Sequence, residues 1–76
     1  MSELTKKINQ FFRLATRKEV QEIKDEIYIS EHLEQVFNMY YLEKKSISYI
    51  ADVTGYGVRQ INKDLRLIRE KINKLL

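Results

Sequence analysis

Apolar residues recur along this chain at steps of three and four, with polar residues between them, which is the period of a helix buried on one face. The pattern runs longest at the C-terminal end. Val58, Ile61, Leu65, Ile68, Ile72 and Leu75 make one apolar seam, enough for a helix of about five turns. Upstream, the same period predicts four shorter helices. The first spans Ser2 to about Leu14, capped by Ser2, with a stripe of Leu4, Ile8, Phe11 and Ala15. Thr16-Arg17-Lys18-Glu19 has the form of a capping box, with hydroxyl and carboxylate each serving an orphan N–H. It starts a second helix, to about Ile27, that carries Val20, Ile23 and Ile27 on one face; helices one and two also read as one continuous helix.

Tyr28-Ile29 forms a short link, and Ser30 caps a third helix from Glu31 to about Leu42. Its buried stripe is Leu33, Val36, Phe37, Tyr40 and Tyr41. Ser46 caps a fourth helix that ends at Val53 or Thr54, because Gly55 suits the left-handed conformation that stops a helix. The fifth helix starts near Gly57. The expected fold is therefore all-α, a small five-helix domain spanning residues 1–76.

The segment from Ser46 to Ile72 narrows the function furthest. Ile50-Ala51 is followed by Gly55 four residues after the alanine, Ile61 six after the glycine, and Leu65 four after that. This is the spacing of a helix-turn-helix, which places its second helix in the DNA major groove. Ala51 is small where the two helices cross, and Ile50, Ile61 and Leu65 fill the wedge between them.

Charge follows the same division. Residues 1–56 carry eight Lys/Arg against nine Asp/Glu, whereas residues 57–76 carry six against two, so the last helix, at +4, holds all the excess positive charge. A basic stripe on one helix is an electrostatic footprint for phosphate, although cations in the last turns also complement the helix dipole. The outward face at the start of that helix holds Arg59, Gln60, Asn62, Lys63 and Arg66, the candidate base contacts. Arg and Lys pair with guanine O6/N7, and Asn and Gln with adenine N6/N7. Lys44, Lys45, Ser46, Tyr49 and Arg69 are the candidate phosphate contacts, helped by N–H groups at the starts of the fourth and fifth helices.

Other chemistry finds little support. With no cysteine and a single histidine, His32, the chain offers no zinc ligand set and no nucleophile–base pair. There is no glycine-rich phosphate loop, so neither an enzyme nor a cofactor is expected. No apolar run approaches the ~20 residues of a membrane span, and the first residues lack a secretory apolar segment, which together point to the cytoplasm. Phe11 and Phe12 point about 100° apart on a helix, so one can be core while the other lies at an edge or against a partner. The five tyrosines read as core or rim packing.

Tyr41-Leu42-Glu43, Ser46, Ile50-Ala51, Gly55, Ile61, Leu65 and Arg69-Glu70-Lys71-Ile72 resemble region 4 of the bacterial sigma-70 factors. The likeness covers about residues 31–74, within a region 30–76, and leaves residues 1–29 as an N-terminal helical extension. It departs at Thr54, where the family has an apolar residue, and at Gly57-Val58, where it has Ser-Glu. No counterpart of the family's promoter-melting region is present.

The resemblance implies recognition of promoter-type duplex DNA through the last helix, residues ~57–75, and contact with RNA polymerase. The expectation is a sequence-specific regulator of transcription. A chain of this size offers little area for tight binding as a monomer, so a homodimer is expected. The alternative is a protein-binding module of sigma-like fold that docks on RNA polymerase or another nucleic-acid enzyme and inhibits or redirects it. The last helix's seam also has heptad-like spacing, which leaves open a coiled-coil dimer extended by Leu67 and Leu76, beside the plainer reading that it closes the domain's own core. The size also fits a phage or mobile-element protein.

Overall fold

The computed structural model describes residues 3–75. Among them the chain forms five helices and no strand: α1 (Glu3–Leu14), α2 (Arg17–Glu26), α3 (Glu31–Phe37), α4 (Ile47–Thr54) and α5 (Val58–Leu75). The expected cap at Ser2, the side chain of Leu4 and the interface position Leu76 lie outside what is described. None of the described helices is long and apolar enough to cross a membrane.

The helix starts are set by local hydrogen bonds. At Thr16 the capping box forms in full: Glu19 N–H donates to Thr16 Oγ1 at 3.2 Å and Thr16 N–H to Glu19 Oε1 at 3.1 Å. These bonds hold the Glu19 carboxyl below its usual range. The box separates α1 from α2, so the continuous-helix reading does not hold. Ser30 accepts from Leu33 N–H at 3.3 Å and Ser46 from Tyr49 N–H at 3.1 Å, capping α3 and α4.

The third helix departs from expectation at its end. Asn38–Leu42 continue it as a π-helical turn, closed by Glu43 N–H donating to the Asn38 carbonyl at 2.9 Å. The wider turn carries two consecutive tyrosines, Tyr41 in the core and Tyr40 at its margin, whose rings meet edge-on at 4.9 Å. The chain then leaves through Lys44 at φ 59°, a left-handed conformation unusual for a residue with a Cβ.

α5 is the central strut. Ile61, Leu65, Ile68 and Ile72 are fully or almost fully buried against α1, α3 and α4. The seam is thus consumed by the domain's own core, and the coiled-coil reading is not needed to cover it. Its ends, Val58 and Leu75, stand 47% and 40% exposed, because the eighteen-residue helix outruns the shorter elements that cover it. On α1 the core residues are Ile8 and Phe12, one turn apart; Phe11 and Ala15 lie at the margin, which shifts the expected stripe by one residue. Phe12 stacks on Tyr41 with ring centroids at 4.0 Å and meets Phe37 edge-on at 6.0 Å, tying α1 to the third helix.

α4 ends at Gly55, whose φ is 80°. A Cβ there would meet no heavy atom, so its cost is conformational alone. Gly55→Ala is expected to destabilise the domain by about 1 kcal/mol and lower Tm by roughly 4–8 °C in a thermal unfolding scan.

Candidate nucleic-acid interface

The α4–α5 hairpin is built from the turn outward. Gly55 N–H donates to the Ala51 carbonyl at 3.1 Å. Thr54 Oγ1 donates to the Ile50 carbonyl at 2.7 Å and accepts from Tyr56 N–H at 3.5 Å. A polar residue before the glycine therefore serves the turn that an apolar one could not. The Gly57 carbonyl accepts from Gln60 and Ile61 N–H at 3.0 and 3.1 Å, which opens α5 without a side-chain cap. Ile50, Ala51, Ile61 and Leu65 are all buried in the domain's core.

Burying that face of α5 leaves the opposite one outward. Arg59, Gln60, Asn62, Lys63 and Arg66 are all exposed, and with Gly57 they line one shallow concavity along the first turns of the helix. Among the described residues, Arg59, Lys63 and Arg66 make no salt bridge. Their charge is thus unspent within the domain. Gln60 differs from the rest: its Nε2 donates to Asp64 Oδ1 at 2.9 Å.

The candidate phosphate residues do not form a single set. Lys44, Lys45 and Ser46 line a second concavity with Arg13, between the end of α1 and the start of α4. Lys44 Nζ donates to the Phe12 carbonyl at 3.4 Å, and Lys45 Nζ sits 5.0 Å from the Tyr49 ring centroid. Tyr49 is 47% exposed. Arg69 is half-buried on α5 and belongs to a different environment, close to Tyr41.

Tyr41 and Asn38 bring buried polar atoms into this part of the core: among the described residues, the Tyr41 hydroxyl and Asn38 Oδ1 have no hydrogen-bond partner. Burial pushes the Tyr41 phenol up to about 12, outweighing the opposing pull of the Arg69 guanidinium. The unfolded chain loses this proton near 10.0, so Tyr41 contributes its full stabilisation below that pH. Between pH 10 and 12 the unfolded state alone ionises, and stability is expected to fall by about 2–3 kcal/mol. Urea titrations across that range should show a shallower fall for Tyr41→Phe, and the variant should match or exceed wild-type stability at pH 7 by up to about 1 kcal/mol.

The arrangement that sequence reasoning missed is the pairing of His32 with Asp64. Asp64 is 2% exposed, and its Oδ2 accepts from His32 Nε2 at 2.6 Å. The Tyr56 ring packs on the imidazole with centroids at 4.5 Å. The partners are 32 residues apart, so no local pattern joins them. A hint was present: Asp64 falls three residues after Ile61 and four before Ile68, inside the apolar stripe where a carboxylate needs a partner.

Compared with protein-family models, with curated proteins and with solved structures, the chain matches none.

Proposed function

We propose that this chain is a helix-turn-helix protein that binds double-stranded DNA and regulates transcription, with α5 as the recognition helix. The observation that carries this reading is the outward face of α5. Two arginines, a lysine and two side-chain amides stand exposed on its first turns, and the cations have no internal partner among the described residues. These groups match phosphate and base-edge chemistry in the major groove. The hairpin with its left-handed glycine supports the same reading, as does the resemblance to sigma-70 region 4 over about residues 31–74. In this reading Arg59, Asn62 and Lys63 face bases, with Gln60 and Arg66 at the edge of reach, while Lys44, Lys45, Ser46, Tyr49 and Arg69 face phosphates. The DNA-bound form is a homodimer in the cytoplasm, and its N-terminal third, where Leu14 and Tyr28 stand 75% and 92% exposed, supplies surface for a second copy or for RNA polymerase.

A second reading draws on Tyr49, Val53, Tyr56 and Val58, which are each about half exposed along α4 and the α4–α5 turn. Apolar surface at that place favours a protein partner, with the domain docking on RNA polymerase or another nucleic-acid enzyme to block or redirect it.

Selection from a randomised duplex pool at low and near-physiological salt separates the two. A DNA reader retains an enriched motif and loses affinity steeply with salt. No retention even at low salt overturns the DNA reading and leaves the protein-binding module.

A further inference from the structure

Among the described residues, Gln60 is the one member of the outward face whose side chain is already committed within the domain. Its amide lies 2.9 Å from Asp64 Oδ1. A carboxylate can only accept, so the Gln60 nitrogen must be the atom that faces it. A half-turn of the amide would bring Oε1 against Oδ1, two acceptors at hydrogen-bond distance. Asp64 is itself fixed: it is buried, its other oxygen is held by His32, and Tyr56 packs on the imidazole. A solvent-exposed glutamine normally presents either end of its amide. This one is anchored by a chain of contacts that runs from Tyr56 through His32 and Asp64. What it has left to offer a ligand is the acceptor Oε1 beside one remaining N–H.

We propose that Asp64, held by His32, is a positioning residue that locks the Gln60 amide, and that Gln60 thereby selects adenine over guanine at one position of the DNA site. The inference rests on the DNA-binding reading. Adenine presents an N6 donor beside an N7 acceptor in the major groove, which complements Oε1 and the remaining N–H. Guanine presents two acceptors, O6 and N7, and sets O6 against Oε1. An unanchored glutamine escapes that clash by turning over its amide; Gln60 does not.

Asp64→Asn makes a sharper demand than simple loss. His32 Nε2 still finds an acceptor in the new amide oxygen, which turns the new NH2 toward Gln60. That donor calls for Oε1, so the Gln60 amide turns over and shows its NH2 to the base. The selectivity then moves toward guanine.

The test is duplex selection followed by competition binding with wild type, Gln60→Ala and Asp64→Asn, each first checked for cooperative unfolding. The wild-type motif should contain an adenine whose enrichment disappears in Gln60→Ala. Replacing that adenine with guanine or hypoxanthine should weaken wild-type binding on the order of tenfold. Asp64→Asn should keep its preferences elsewhere in the motif and reverse the adenine-over-guanine ratio here, a change that a merely structural role would not produce. Should Asp64→Asn fail to fold, the hypoxanthine substitution with wild type decides alone. A motif in which Gln60→Ala alters no position, or in which hypoxanthine is accepted as readily as adenine, overturns the inference and leaves DNA binding intact. The absence of any motif overturns the DNA-binding reading itself, and this inference with it.

Discussion

Replacing His32 with alanine is expected to destabilise the domain by about 3 kcal/mol, measured by urea unfolding at neutral pH. The variant leaves Asp64, 2% exposed, with one buried oxygen and no partner for it. Breaking such a pair costs more than the pair contributes, because the desolvated carboxylate remains. The loss falls at the low end of the range for buried pairs. The His32 side chain is 28% exposed, so water reaches part of the vacated space, and Gln60 still serves Oδ1. For a domain of 76 residues, whose total stability is about 4–11 kcal/mol, such a loss is a large share. The double replacement His32→Leu/Asp64→Leu removes both polar groups and should recover most of it. A His32→Ala protein within roughly 0.5 kcal/mol of wild type would mean that solvent replaces the imidazole, and Asp64 would then not be rigidly held.

The second large effect concerns binding. Arg59→Ala/Lys63→Ala is expected to weaken duplex binding about 100-fold or more at low salt, since each good contact of this kind is worth ~1–3 kcal/mol. It should also flatten the salt dependence, because fewer counterions are released. Both side chains are exposed and make no salt bridge among the described residues. The fold should therefore hold, with unfolding midpoints close to wild type. This combination of lost binding and retained stability distinguishes a recognition face from a structural one. Duplex binding that survives the double substitution would place the DNA contacts elsewhere than on Arg59 and Lys63.

Much of the architecture was legible in the chain. The 3.6-residue period located the buried faces of α3 and α5, and the caps at Thr16, Ser30 and Ser46 were readable because capping joins residues three apart. Gly55 was legible for the same reason: its left-handed φ is a local need that few other residues meet. The outward face of α5 followed from the inward one, because a helix that buries Ile61, Leu65 and Ile68 must expose Arg59, Lys63 and Arg66. The π-helical end of the third helix and the choice of Phe12 over Phe11 were not legible. Both depend on how the Phe12, Phe37 and Tyr41 rings share one volume, which no single-helix pattern encodes.

By itself, then, the sequence determined what is short-range in this protein: where helices start and stop, which side of each is apolar, and where the excess positive charge lies. Tertiary structure alone decided what those sides meet. It brought His32 onto Asp64 across 32 residues and, through Asp64, tied down Gln60, making one side chain of an exposed polar face a fixed one. The physical reason is range. Periodicity and capping act within a turn of helix, whereas the partner of a buried carboxylate is chosen by which helix packs beside it.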